Sequence, residues 1–436
     1  MKLIGTMKNI TGVLNIGGVS VLDLKERYGT PLYIYDLEFM ENKIIDIINN
    51  FKSDKFKTTV VYASKAYLSK AMCQIVQNNG LEIDAVSAGE LYTIKSSGFP
   101  MQKVHMHGNN KSIEELEMCV RDGVGSIILD NQFEIEKIAN ICKALGKKMD
   151  VMLRLNIGID AHTHEYIKTS KHSSKFGESI FDKNIEDIVK KIITFKNINF
   201  LGFHCHIGSQ IFDEHAFCEG IEVMVKFTKK ISDVLKIKIP EINIGGGFGV
   251  RYTSDDTDVD LKNIMKKIIV CLEKNLLENK LEIEKISIEP GRSIVAQSGS
   301  TLYTVGGKKK TYGGENYVFI DGGMTDNIRP ALYQAKYEAV VANRLNEVKK
   351  EVLTIGGKCC ESGDIISKNT KLGKVDVGDL ILVSCTGAYG HSMSSNYNKA
   401  LKPAVVFVKN GRSYLISKRE TFDDLVKNDL MFEEIL

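Results

Sequence analysis

Eight short apolar runs, each ending in a residue able to do chemistry, alternate with helix-like stretches over residues 58–289, and no other feature narrows the folding options of this chain as much. Strand candidates lie near 58–63, 82–87, 103–108, 126–130, 150–156, 199–206, 240–244 and 285–289. Stretches such as Glu114–Arg121 and Ile135–Ala144 carry helical spacing between them. Eight β/α units in succession predict a TIM-type parallel barrel, an α/β fold in which the C-terminal strand ends converge on one face. The residues at those ends are Lys65, Asp84 with Ser87, His107, Asp130, Arg154 with Asn156, His204 with His206, Gly245 to Gly247, and Glu289. So many polar groups at successive strand ends point to an active site.

A barrel of typical size leaves about 150 of the 436 residues for a second domain. Past residue 290 the pattern changes to short strands between glycine turns, as in Tyr317–Ile320, Val375–Val383 and Ala404–Lys409. Pro31–Tyr35 also reads as a strand, ahead of the barrel, and is expected to pair into that mostly β domain. The expected division is a barrel over 37–288 and a β domain built from 1–36 and 289–436. With 58 basic and 55 acidic residues the net charge is +3, which gives no polybasic face for nucleic acid. Lys308 to Lys310, between glycine pairs, reads as an exposed loop. No apolar run is long enough to span a bilayer, and the first residues have neither an apolar core nor a cleavage site. A cytoplasmic protein without membrane contact is expected. Nine scattered cysteines, an odd number in a long chain, read as reduced thiols.

Lys65 closes the first strand in the segment Val61 to Ala66, where an amine faces the site and can attack an aldehyde. The plain alternative is an exposed lysine at a helix start. After the seventh strand comes Gly245-Gly246-Gly247-Phe248-Gly249. Backbone without side chains approaches an anion closely, and barrels hold phosphate in the loops after strands seven and eight. Away from that position, such a cluster would read as a turn. Glu289-Pro290-Gly291-Arg292 follows the eighth strand and places a carboxylate in the site. Lysine, phosphate cradle and buried carboxylate together suit pyridoxal 5'-phosphate, whose aldehyde, phosphate and ring nitrogen need those three partners. His204 and His206 share one strand face, but no third ligand accompanies them, so no metal is expected.

Tyr62 to Ala66, Asp160 to Tyr166, His204 to Gln210, Gly245 to Gly249, Glu289 to Arg292, Arg329 to Tyr333, Cys360 to Asp364 and Gly387 to Gly390 together strongly resemble the diaminopimelate decarboxylase family. The resemblance runs from about residue 10 to the C-terminus. It implies a fold-type III pyridoxal-phosphate decarboxylase, with an alanine-racemase-like barrel and a C-terminal β domain. The implied reaction converts meso-2,6-diaminopimelate to L-lysine and carbon dioxide, the last step of lysine synthesis. In this resemblance Lys65 binds the cofactor covalently, His206 stacks on its ring, Ser209 reaches the phosphate and Glu289 faces the ring nitrogen. Gly245, Gly246, Gly247, Gly291 and Tyr389 hold the phosphate, with Pro290 and Arg292 lining the same site. Arg292, Arg329, Tyr333 and Tyr389 are the implied substrate contacts, and a guanidinium suits a carboxylate because its planar fork donates two parallel hydrogen bonds. Glu361 meets the ammonium at the retained end. Cys360 is the implied proton donor, supplied across a homodimer interface; a thiol with a pKa near ~8.5 can deliver a proton at neutral pH. Cys359 beside it reads as structural.

Three stretches depart from the family pattern. Asn156-Ile157-Gly158 lacks the proline that often follows the asparagine, and Gln334-Ala335-Lys336-Tyr337 replaces a more aromatic continuation. Both are expected to touch no catalytic group. Asn396 to Pro403 lacks an arginine-proline run and is expected to bear on the domain surface alone. A related decarboxylase for ornithine, lysine or carboxynorspermidine need not grip a second, retained carboxylate, so Arg329 and Asp160 to Tyr166 argue against it. Retained Lys65, Glu289 and Cys360 argue against a catalytically inactive regulatory homologue.

Overall fold

Eight parallel strands pair in order and close on themselves. They are Lys57–Tyr62 (β1), Glu82–Ala85 (β2), Val104–Met106 (β3), Ser126–Leu129 (β4), Met149–Asn156 (β5), Ile198–Cys205 (β6), Glu241–Asn243 (β7) and Lys285–Ile288 (β8). The computed structural model describes residues 1–159 and 174–432, so the Asp160 to Tyr166 motif lies outside the described residues. The closing seam sets β8 against β1, with Lys285 opposite Lys57 and Ile288 opposite Val60. Strands covered on both sides, by the barrel interior and by helices, are written as apolar runs, which is why their positions are legible. In β6 the backbone bulges between Phe200 and Gly202, where an added Cβ would lie 2.0 Å from the Glu241 carbonyl oxygen.

The surrounding helices follow from their spacing and caps. Ile185–Thr194 buries Ile185, Ile188, Val189 and Ile192 along one stripe and leaves Asp187 and Lys190 in water. Ile113–Asp122 begins on a reciprocal cap between Ser112 and Glu115 and stops at Gly123, whose φ of 71° is left-handed. Among the described residues no helix is long and apolar enough to cross a membrane.

The chain divides into two compact units. One comprises Asn42–Val250 with Thr257–Ile294 and holds the barrel; the other comprises Met1–Glu41, Arg251–Asp256 and Val295–Leu436. The barrel unit therefore runs through Ile294, past the boundary expected at 288, and the short stretch Arg251–Asp256 joins the β-rich unit. In that second unit Leu32–Asp36 lies between Gly299–Lys310, antiparallel, and Ala404–Lys409, parallel. Gly299–Lys310 is long enough to serve three partners: besides Leu32–Asp36 it pairs Leu380–Ser384 along its first half and Asn316–Ile320 along its second, so Lys308 to Lys310, expected as a loop, are paired strand. Leu380–Ser384 is buried throughout, and its residues alternate: Leu380 and Leu382 enter one apolar core, Ile381 and Val383 another. The strand expected over Val375–Val383 starts only at Leu380. Asp376 to Asp379 forms a turn, in which Asp376 N–H donates to the Asp379 carboxylate at 2.7 Å and Gly378 takes a φ of 93°.

Candidate active site

Lys65 stands in a single turn, Ser64–Ala66, just past β1, and is exposed. The backbone around it is held by acids from the next β/α unit. Ser64 N–H donates to Asp84 Oδ1 at 2.8 Å, and Ser64 Oγ donates to Glu90 Oε2 at 3.0 Å. Glu90 also accepts the Val86 N–H at 2.7 Å, and it sits in the first turn of Ala88–Ser96, capped by Ser87. Burial pushes Asp84 up to about 7; the Glu289 charge adds to this, and His107 and Lys65 oppose it. On the other side Ala63 N–H donates to the Pro290 carbonyl at 3.1 Å. Gly291 packs so tightly there that a Cβ would meet Ala63 Cβ at 2.7 Å.

Glu289, just past β8, is buried with two hydrogen-bond donors on its carboxylate and a third nitrogen close by. Asn243 Nδ2 donates to Oε1 at 2.8 Å, and His107 Nε2 lies 3.1 Å from the same oxygen. His204 Nε2 lies 3.1 Å from Oε2. Burial lowers His204 to about 4, so at neutral pH it is an uncharged ring donating from Nε2. Burial works against the Glu289 charge, but His204 and His107 outweigh it and hold the carboxyl well below its usual range. Behind this group Arg154 Nη1 lies 3.9 Å from Asp130 Oδ1, and its guanidinium stacks 4.7 Å from the Phe176 ring centre. The two strand histidines have parted company. His204 joins His107 and Glu289, whose potential ligand atoms lie within 4.8 Å of one another, a third partner the sequence pattern did not reveal. His206 instead accepts the Gly246 N–H on Nδ1 at 3.2 Å, and burial holds its ring well below the usual pKa.

The glycine loop after β7 owes its composition first to the protein. A Cβ on Gly246 would come 2.0 Å from the Glu289 carbonyl oxygen, one on Gly247 2.1 Å from the Gly208 carbonyl, and Gly245 and Gly247 have φ of 69° and 103°. Gly245 N–H donates to Asn243 Oδ1 at 2.9 Å, and Gly246 N–H is used by His206. Of the three, Gly247 N–H has no acceptor among the described residues. Nearby, Arg292 Nη2 donates to Ser209 Oγ at 3.0 Å, which leaves the hydroxyl hydrogen free to donate elsewhere. A carboxylate offers about four acceptor positions; Asn243 and His204 use one on each oxygen of Glu289, which leaves room for a ring N–H. An amine, a carboxylate held in its ionised form with open acceptor positions, and donors on Gly247 and Ser209 fit pyridoxal phosphate.

Two further groups of expected residues lie in the β-rich unit. Arg329 is buried at the start of Arg329–Tyr333, and its Nε donates to Tyr337 Oη at 2.9 Å. Its Cζ lies 5.8, 5.4 and 5.5 Å from the ring centres of Tyr252, Tyr333 and Tyr389. Among the described residues no carboxylate pairs with it. The departure at 334–337, expected to touch no catalytic group, does reach an expected substrate contact, because Tyr337 holds the Arg329 guanidinium directly.

Cys360 is exposed, and its N–H donates to Asn398 Oδ1 at 3.2 Å. The departure at Asn396 to Pro403 thus reaches the Cys360 backbone as well as the domain surface. Asp364, buried, anchors the same loop by accepting Met324 N–H at 2.6 Å and Cys359 N–H at 2.7 Å. Burial, with Asp364 alongside, pushes the Cys359 thiol up to about 11. Glu361 is exposed beside them.

Residues 41–296 match the family described as pyridoxal-dependent decarboxylase, pyridoxal binding domain. Over 434 residues the chain is 47% identical to a diaminopimelate decarboxylase of Bacillus subtilis, covering 99% of each. It is similar to the crystal structure of a diaminopimelate decarboxylase from M. jannaschii, with a TM-score of 0.92 at 33% identity, covering 99% of each chain. The same enzyme in complex with L-lysine superposes with a TM-score of 0.91 at 32% identity and 98% coverage of each chain.

Proposed function

The chain belongs to the diaminopimelate decarboxylases, a family of pyridoxal-dependent enzymes, and from that membership we propose that it converts meso-2,6-diaminopimelate to L-lysine and carbon dioxide. The observation that carries the choice of substrate is Arg329. A buried guanidinium with aromatic walls and no carboxylate of its own among the described residues is built to receive one, and a substrate with a second amino-acid end brings it. Ornithine and lysine have no such second carboxylate. The L-lysine complex of the M. jannaschii relative supports this reading, because L-lysine keeps that end.

When bound, pyridoxal phosphate supplies the electron sink that takes up charge as the bond to the departing carboxylate breaks. The Lys65 amine is the attachment point. Asp84, titrating near neutrality beside it, gives that amine a neighbour able to accept its proton. Glu289 would hold the ring N–H, His206 would cover the ring, and Ser209, Gly247, Gly291 and Tyr389 would serve the phosphate. Arg292 orients the Ser209 hydroxyl and lines the substrate side. Tyr333 walls the far end with Arg329, and Glu361 takes the ammonium there. Cys360 S–H returns the proton to the carbon that lost its carboxylate. We place the protein in the cytoplasm as a homodimer, with Cys360 working in the site of the partner subunit; exposure of Cys360 and Glu361 supports that reading.

Carbon dioxide release from diaminopimelate, ornithine and lysine tests the proposal, with diaminopimelate expected to be turned over far faster. Arg329→Ala should cost about 2 to 5 kcal/mol of transition-state binding for diaminopimelate, the range for unpairing a buried charge. Equal losses on all three substrates would overturn the assignment.

A further inference from the structure

We propose that Cys218 and Cys271, on two outer helices of the barrel unit, form a reversible disulfide, a modification site separate from the pyridoxal chemistry. Cys218 lies in the first turns of Glu214–Leu235, and Cys271 lies in the middle of Leu261–Glu278. Cys271 Sγ is 3.7 Å from the Cys218 carbonyl oxygen, so the two helices touch at these residues. Asn275 Nδ2 approaches Cys271 Sγ to 3.5 Å and fixes it. Both cysteines are half-buried, close enough to solvent for a small oxidant and too enclosed for a large one.

Five of the other cysteines, Cys73, Cys119, Cys142, Cys205 and Cys385, are buried, and Cys359 and Cys360 are consecutive. The contact divides the labour between the two sulfurs. The neighbouring Cys271 lowers the Cys218 thiol below its usual range, while the same contact and burial raise Cys271. Lys267, one turn before Cys271 and paired with Glu214, adds a cation on the Cys218 side. Cys271 Sγ is held by the Cys218 carbonyl and by Asn275, which leaves Cys218 as the nucleophile and Cys271 as the resolving thiol.

With hydrogen peroxide as oxidant the steps balance. Cys218 thiolate attacks one peroxide oxygen, an S–O bond forms, the O–O bond breaks, and the departing hydroxide takes a proton to become water. Cys271 sulfur then attacks Cys218 sulfur; the S–S bond forms, the S–O bond breaks, and the second hydroxide leaves with the Cys271 proton as water. Two thiols lose two electrons and two protons, and one peroxide receives them. The bond would tie the helix that follows the His206 and Ser209 loop to the helix that leads into β8 and Glu289.

The test treats the cofactor-loaded full-length protein with a small excess of hydrogen peroxide, then blocks free thiols and maps peptides without reduction. A Cys218–Cys271 linked peptide, with an intact mass lower by two hydrogens, is expected. The unfolding midpoint should rise by several degrees, because a cross-link restrains the unfolded chain, and dithiothreitol should reverse both changes. Without oxidant, Cys218 should alkylate faster than Cys271, and Cys271→Ser should slow Cys218. Both cysteines remaining alkylatable after peroxide, a link between Cys359 and Cys360 instead, or the same mass loss in Cys218→Ser would overturn the proposal.

Discussion

Replacing Tyr337 with phenylalanine removes one oxygen and leaves the buried ring in place, which isolates its hydrogen bond to Arg329. In the native protein Tyr337 Oη accepts from Arg329 Nε at 2.9 Å, and the Tyr252 ring meets the Tyr337 ring edge-on at 5.5 Å. The variant keeps that ring contact and strands a charged N–H in a buried setting. A hydrogen bond to a charged group contributes about 1.5–3 kcal/mol, which corresponds to roughly 10- to 150-fold in a binding constant. Because Arg329 is assigned to the end of the substrate that does not react, the loss should fall on KM for diaminopimelate, with kcat changed far less. L-lysine, which retains that end, should weaken as a product inhibitor by the same factor. Steady-state kinetics with L-lysine inhibition measures both. A fall in kcat with KM and the inhibition constant unmoved would refute the reasoning, and a matched loss of folded protein in a thermal scan would identify a structural cause.

Asp84 supplies a pH prediction. Its folded pKa, raised to about 7, lies above the unfolded value, so its contribution to stability is full at low pH and is lost as pH rises through the neutral range. The thermal midpoint of Asp84→Asn relative to the native protein should therefore climb from about pH 4 to about pH 7 and then level off; a flat difference contradicts the burial argument. Gly246→Ala should lower the midpoint even of the cofactor-free protein, since its Cβ would lie 2.0 Å from the Glu289 carbonyl, and a change confined to cofactor affinity would contradict the packing account. Mixing Lys65→Ala with Cys360→Ala subunits should restore about a quarter of native activity if dimers reassort at random and share their sites. Mixtures that exchange subunits yet stay inactive would place both residues in one subunit's site or remove Cys360 from the reaction.

The barrel was legible because each strand is a local apolar run with a polar terminus, and Lys65, Glu289 and the glycine loop were legible because they fall at those termini. What escaped notice lies in contacts between distant positions. Glu90 and Asn243 carry no motif of their own; they matter because one meets Ser64 from the next β/α unit and the other meets Glu289 from the neighbouring strand. Tyr337 looked idle because its departure from the family pattern was judged by composition, whereas its role depends on where Oη ends up. Asn398 shows the same limit, with a side chain that reaches back 38 positions to Cys360. The turn at Asp376 to Asp379 was absorbed into an apolar run because Val375 and Val377 flank its acids.

The seam between β8 and β1 has a consequence for how the protein is made. Lys65 leaves the ribosome early, yet the groups that complete its surroundings, Glu289 with Pro290 and Gly291, lie just past the strand that pairs with β1 only after synthesis has passed them. A nascent chain cut short before that point has the amine but neither the anion for a ring nitrogen nor the backbone that clamps Ala63. If Lys65 and Glu289 hold pyridoxal phosphate as proposed, its capture waits for the last strand of the barrel, and a truncated product lacks a partly assembled site that would withdraw it from the cell.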